Sequence, residues 1–128
     1  MIKVVTPKSI PAPSGSYVHG LEVPPNARLL FIAGQTPGRM DGSIPATFDE
    51  QIEVVWQRIG AILAEAGMGY SDLVKVQTFV TKPEYLGKTS AVRKRVLGEH
   101  RPTATLLCIT ALATPEYMVE IEAIAAKV

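Results

Sequence analysis

Two glutamates stand two residues apart in the closing stretch VEIEAIA, at positions 120 and 122. Alternate residues of a strand share a face, so Glu120 and Glu122 project opposite to Val119, Ile121 and Ala123. A carboxylate in a partly dry cleft has its pKa raised by desolvation, which suits acid–base work near neutrality. Held in open water or in a salt bridge, the same pair would be structural only. The stretch EHRPTATLLCIT, residues 99–110, poses a second question. Two groups able to carry positive charge, His100 and Arg101, halt at Pro102 before an almost wholly apolar run. Cys108 lies in that run with no histidine or basic residue at a telling spacing, so it reads as a core thiol rather than a nucleophile. His19 and His100 have no metal-ligand spacing with Cys108 or with each other, and no metal site is expected. G-x-S-x-G, Walker A and G-x-G-x-x-G patterns are absent, which sets aside the common hydrolase and nucleotide-binding signatures. Lys82, Lys88, Arg93, Lys94, Arg95, His100 and Arg101 fall within twenty residues. They read as a solvated helix face or as a phosphate- or RNA-binding surface, with only Tyr85 nearby to stack on a base. Arg93 differs from the others: three and seven residues after Ser90 and Leu86, it borders an apolar stripe and could reach a cleft edge.

The elements that must position these residues follow from period and punctuation. IKVV, YVHGLEV (17–23) and RLLFIAG read as strands, the last two joined by the turn PPNA. Gln35 to Ala46, with its Asp41–Gly42 pair, is a loop or small hairpin. Thr47 and Glu50 form a capping-box pattern. Ile52, Val55, Trp56, Ile59, Ile62, Leu63 and Ala66 then recur at helical spacing up to a stop at Gly67. VKVQTFV (74–80) alternates as a strand. A second helix runs from start signals at Thr81, Pro83 and Glu84 to Gly98, with the stripe Leu86, Thr89, Val92, Val96, Leu97. TATLLCIT and YMVEIEAIA close the chain as strands.

The order β-β-β-α-β-α-β-β predicts an α+β fold, a mixed sheet of about six strands with two helices on one face. Its 128 residues make a single domain, 1–128, and the net charge of +1 gives no global field for nucleic acid or an acidic membrane. The lone cysteine excludes an intrachain disulfide, no apolar run is long enough to span a bilayer, and the N-terminus lacks the apolar core of a signal peptide. A cytoplasmic protein is the expectation. The strands are nevertheless apolar on both parities, Leu29 and Phe31 against Leu30 and Ile32. Two helices cover one face only, so the other is expected to meet further copies of the same chain.

Taken together, RLLFIAGQTP, LAEAG followed by YSDLVKVQTFVT, RPTATLLCI and VEIEAIAA resemble the Rid (reactive intermediate deaminase) family, also called YjgF, over nearly the whole chain. The resemblance implies a chorismate-mutase-like fold and a homotrimer with small-molecule clefts between subunits. It further implies hydrolysis of enamines or imines to a keto acid and ammonia without metal or organic cofactor. Carried over by position, Glu120 matches the glutamate that positions or activates water, Tyr17 the cleft tyrosine, and Gly34 the glycine whose backbone approaches the ligand. Three departures stand out. Ala104 occupies the slot of the arginine that clamps the substrate carboxylate, Ala33 that of a small hydroxyl residue, and Leu106 that of a cysteine. Alanine offers neither charge nor donors. Arg93 falls where the family often has a cleft asparagine and is a candidate to return the cation from another wall. The leading expectation is therefore hydrolytic deamination of a reactive metabolite other than 2-aminoacrylate. A non-catalytic ligand-binding or regulatory trimer is the alternative. An RNA-cleaving translation inhibitor is the third reading, opposed by the near-neutral charge and scarce aromatics.

Overall fold

In a computed structural model covering all 128 residues, six strands and two helices form in the predicted order, but the strands divide between two sheets. β1 (Lys3–Val5) and β2 (Gly20–Glu22) make a separate antiparallel ribbon. The other four, β3 (Arg28–Gln35), β4 (Leu73–Val80), β5 (Thr103–Cys108) and β6 (Val119–Lys127), form one mixed sheet in the order β3-β6-β4-β5. The single sheet of about six strands is thus corrected to four plus a ribbon. The expected strand 17–23 shortens to three residues; Tyr17 to His19 instead pass beside β5, where the Val18 amide donates to the Pro102 carbonyl at 3.1 Å. Pairing to a neighbouring strand decides what becomes sheet, and alternation alone does not carry that information.

α1 (Phe48–Glu65) and α2 (Tyr85–Leu97) both cover the sheet face that carries Val119, Ile121, Ala123, Val76 and Val80. Thr47 caps α1 by accepting the Glu50 amide at 3.3 Å. The reciprocal half of the capping box is absent, because the Glu50 carboxylate pairs with Arg39 at 3.3 Å. Ile52, Val55, Ile59 and Leu63 are wholly buried and Trp56 is 2% exposed. Each such side chain contributes about 1.5–3 kcal/mol on leaving water. Gly67 ends the helix at φ +71°, and the Met68 amide closes the turn on the Leu63 carbonyl at 2.8 Å. α2 ends likewise at Gly98, φ +59°.

Two polar residues of α1 fasten the loops that lead to the sheet. Gln51 is wholly buried: its amide nitrogen donates to the carbonyls of Pro45 and Glu116, each at 2.9 Å, and its oxygen accepts from the Met118 amide at 2.8 Å. The chain therefore enters β6 in a fixed position, one residue before Val119. Arg58 donates to Gln35 Oε1 at 3.1 Å and to the carbonyls of Thr36 and Gly38 at 2.9 and 3.2 Å, which holds the exit of β3. No helix is long and apolar enough to cross a membrane.

The second sheet face has no cover within the chain. Phe31 is 71% exposed, and Leu29 and Leu107 are also exposed.

Candidate functional site

The site is built around a bulge in β3. Ile32 pairs with Ala123 and Gln35 with Ile121, so β3 spends three steps where β6 spends two, and the extra residue falls at Ala33–Gly34. Gln35 stabilises the bulge by donating from its side chain to the Ala33 carbonyl at 2.9 Å, while Arg58 holds its other amide atom. Gly34 is thereby pressed onto Glu120. A methyl group at Gly34 would overlap Glu120 Oε2, and would lie 2.9 Å from its Cδ and 3.2 Å from its Cγ. The backbone of Gly34 is not in the left-handed region, so close approach, rather than φ, accounts for glycine here.

Glu120 stands on the uncovered face of β6, level with Phe79 of β4. Partial burial raises its pKa above the ordinary carboxylate range, and Glu122, on the same face, raises it further. Neither glutamate is in an ion pair: those of the chain are Arg39–Glu50, Lys88–Asp49 and Arg95–Glu53. A recess of about 420 Å³ opens beside Glu122, lined also by Phe31, Ala33, Lys75, Gln77 and Ile124 among others; Glu120 is not part of its lining.

Tyr17 and Ala104 meet in a different place. With His19, Lys75, Thr103 and Thr105 they line a recess of about 320 Å³ at the free edge of β5. Tyr17 packs edge-on against His19 with ring centroids 5.9 Å apart, and hydrogen bonding from Ser14 lowers its phenol below the ordinary range. His19 Nε2 is hydrogen-bonded to the Pro11 carbonyl at 2.7 Å. Lys75 lines both recesses.

The remaining two candidates lie on the other side of the sheet. Register pairs Leu106 with Thr78 and Ala104 with Val76, placing both on the helix-covered parity, with Ala104 also reaching the rim of the edge recess. Arg93 belongs to the buried face of α2, Thr89–Arg93–Leu97, and is 7% exposed. The sequence set it at the border of the stripe; the helix instead turns it inward. Within one chain, therefore, Glu120, Gly34 and Ala33 form one group and Tyr17 and Ala104 another. β4 separates β6 from β5, and Glu120 is level with Leu107, three residues along β5 from Ala104, so the two groups are on the order of 14 Å apart.

The basic cluster around α2 is largely spoken for. Lys88 pairs with Asp49 at 3.4 Å, Arg95 pairs with Glu53, and Arg101 donates to the carbonyls of Gly98 and His100. His100 Nε2 is bonded to the Leu73 carbonyl at 2.7 Å. Cys108, expected in the core, is exposed at the end of the edge strand. Three or more histidine, cysteine, aspartate or glutamate side chains nowhere converge as a metal would need. Gln51 and Arg58 escaped sequence reasoning. Their signal was present: both interrupt or flank the apolar stripe of α1, and a polar residue there needs buried partners.

The sequence model described as Endoribonuclease L-PSP matches residues 7–127. The 2-iminobutanoate/2-iminopropanoate deaminase of Escherichia coli is 28% identical over 130 aligned residues, covering 99% of each chain. Among solved structures, YyfB of Yersinia pestis, a protein of the conserved Rid family, superposes with a TM-score of 0.85 at 27% identity over 98% of each chain. Escherichia coli TdcF, solved with bound serine, gives 0.74 at 28% identity over 98% of this chain and 99% of its own. With a family match across nearly its full length and this fold, the chain belongs to the endoribonuclease L-PSP family, the Rid or YjgF proteins.

Proposed function

We propose that the protein hydrolyses reactive enamines or imines to a carbonyl compound and ammonia, working as a homotrimer with its clefts between subunits. The observation that carries this reading is the Glu120 carboxylate, unpaired, raised in pKa and lodged against Gly34, where even a methyl group would displace it. A base of that kind suits water activation near neutral pH. The enamine first tautomerises to its imine. Water then adds to the carbon of the protonated imine as Glu120 takes one of its protons, giving a neutral carbinolamine. Glu120 returns that proton to nitrogen, the C–N bond breaks as the hydroxyl closes to C=O, and the hydroxyl proton leaves with the ammonia as ammonium. Backbone groups beside Gly34 polarise the substrate, with Ala33 and Leu106 as further substrate-binding positions and Tyr17 closing the cleft. The deaminase named among the relatives supports this chemistry for the family.

The trimer reading draws on the bare sheet face. Phe31, Leu29 and Leu107 are exposed there, and such a face needs an apolar partner. In this reading the Tyr17 of one subunit and the Glu120 of the next share a cleft, which answers their separation within one chain. Ala104, lacking the clamp of the deaminase type, favours a substrate other than 2-aminoacrylate and supports, second, a trimer that binds ligands without turnover. Lys88 and Arg95 are ion-paired and Arg93 is buried, which leaves Lys82 and Lys94 as the exposed unpaired lysines of the cluster and argues against an RNA-cleaving role.

The test generates 2-iminobutanoate in situ with a pyridoxal-phosphate lyase, with 2-aminoacrylate as the disfavoured comparison, and follows keto acid and ammonia release. Acceleration by wild type, lost in Glu120→Gln with the assembly intact by sedimentation, is the expected result. Binding of keto acids with no acceleration of any imine substrate would move the protein to the ligand-binding reading.

A further inference from the structure

Arg58 is a cation whose partners are all neutral. Its Nε and one terminal nitrogen, Nη1, donate to Gln35 and to the carbonyls of Thr36 and Gly38, while Nη2 makes no hydrogen bond. None of the three ion pairs of the chain includes it. The unpartnered side-chain atoms sealed from solvent are Trp56 Nε1 and Arg93 Nε, so Arg58 Nη2 reaches solvent. A guanidinium stays charged in proteins, and a half-buried one with a free N–H group is ready for an anion.

Arg58 also lines an open recess of about 510 Å³, with Arg39, Met40 and Asp41 of the loop after β3 and Val54 and Ala61 of α1 among the other walls. Val54, Arg58 and Ala61 stand four and then three residues apart, on the side of α1 turned away from Ile52, Val55 and Ile59. The recess therefore lies on the outer side of the helix and shares no residue with the recesses on the sheet. Its other charges already have partners. Arg39 pairs with Glu50 at 3.3 Å, and Asp41 Oδ1 accepts from the Ser43 amide and hydroxyl at 2.9 and 2.7 Å. One positive charge is left over, that of Arg58. The remaining walls are apolar: Val54, Ala61 and the fully exposed Met40, whose unbranched thioether adapts to the shape laid against it. A hollow of this size admits a small organic molecule. One spare guanidinium calls for a single planar oxyanion, and the apolar walls call for an apolar remainder.

We propose that this recess binds a small monocarboxylate with an apolar body. Its oxygens accept from Arg58 Nη2, and its ring or chain covers Val54, Ala61 and Met40. Because Nε and Nη1 stay on the loop, the ligand adds to the hold on the exit of β3 and does not compete with it. The site stands apart from Glu120 and does not rest on the deaminase reading.

The full chain is titrated calorimetrically with benzoate and hexanoate, and with the uncharged benzamide and hexanamide. At least one acid is expected to bind tenfold or more tightly than its amide. Arg58→Met should lose about tenfold to a hundredfold in affinity for that acid, the range of a hydrogen bond to a charged group, and little for the amide. Ala61→Phe fills the recess from an exposed helix position and should abolish binding of the acid, with the far-ultraviolet circular dichroism spectrum unchanged. If Arg58→Met does not fold, having released the loop after β3, Ala61→Phe still decides. The inference is overturned if neither acid binds more tightly than its amide. It is equally overturned if acid binding survives either substitution in a folded chain, which would place the acid at another site.

Discussion

Gly34→Ala puts the contact between β3 and Glu120 to a quantitative trial. The added methyl would overlap Glu120 Oε2 and stand 2.9 Å from Cδ, when ordinary contact begins near 3.4 Å. The Cδ atom must therefore withdraw by roughly 0.5 Å, and the overlapping oxygen at its end by about an ångström or more. Because the obstacle is the end of a flexible side chain, rotation of Glu120 relieves it and the fold should survive. Misplacing a catalytic group by about 1 Å can cost about a hundredfold in rate, equivalent to about 2.7 kcal/mol of transition-state stabilisation. The expected result is thus a fall of about that size in kcat/KM for imine hydrolysis, with a far-ultraviolet circular dichroism spectrum like that of wild type. Glu120→Asp, whose carboxylate is drawn back by one methylene, removes the overlap. The double variant Gly34→Ala with Glu120→Asp should consequently be hardly slower than Glu120→Asp alone. Full activity in Gly34→Ala, or strictly additive losses in the double variant, would refute the idea that this contact sets the carboxylate's position.

Three further outcomes are expected. Burial raises the Glu120 pKa, so the folded chain holds this proton over a range where the unfolded chain has released it. The resulting stabilisation is complete below the ordinary carboxylate pKa and is lost as pH climbs through the raised one, whereas activity climbs over the same window. Glu120→Gln should flatten both profiles, and chemical denaturation and rate measurements across pH check this. Gln51→Leu strands two carbonyls and one amide, and at about 1–3 kcal/mol for each buried group left unpaired should cost at least about 3 kcal/mol in urea titration. Phe31→Lys addresses assembly: an aromatic ring buries about 150–250 Å² when covered, and at 71% exposure that leaves about 3–4 kcal/mol per subunit at about 25 cal/mol per Å². Sedimentation velocity should show the variant dissociated at micromolar concentration, and a persistent trimer would count against the sheet-face interface.

What was legible in the sequence was what depends on near neighbours. The α1 stripe, its Thr47 cap and Gly67 stop, and the alternation that turned Glu120 away from Val119 and Ile121 all rest on spacings of a few residues. What was not legible depends on partners far along the chain. The bulge that lays Gly34 on Glu120 arises only when β3 pairs with β6, some ninety residues later. Arg93 looked like a border residue because positive charge is ordinarily solvated, and only the packing of α2 on the sheet shows that it faces inward. The strand predicted over 17–23 failed for the same reason: Tyr17 to His19 found the edge of β5 through one hydrogen bond, and a ladder did not form.

Gln51 also bears on the order in which the chain folds. Its helix can form from local contacts, yet two of its three hydrogen bonds reach 65 and 67 residues ahead, to the turn that precedes β6. Closing a loop of that length costs entropy before these bonds reward it, and the expectation is that they form after the rate-limiting step. Substitution of Gln51 should then leave the refolding rate almost unchanged and speed unfolding. The residue that positions β6 would act as a latch on the lifetime of the native state.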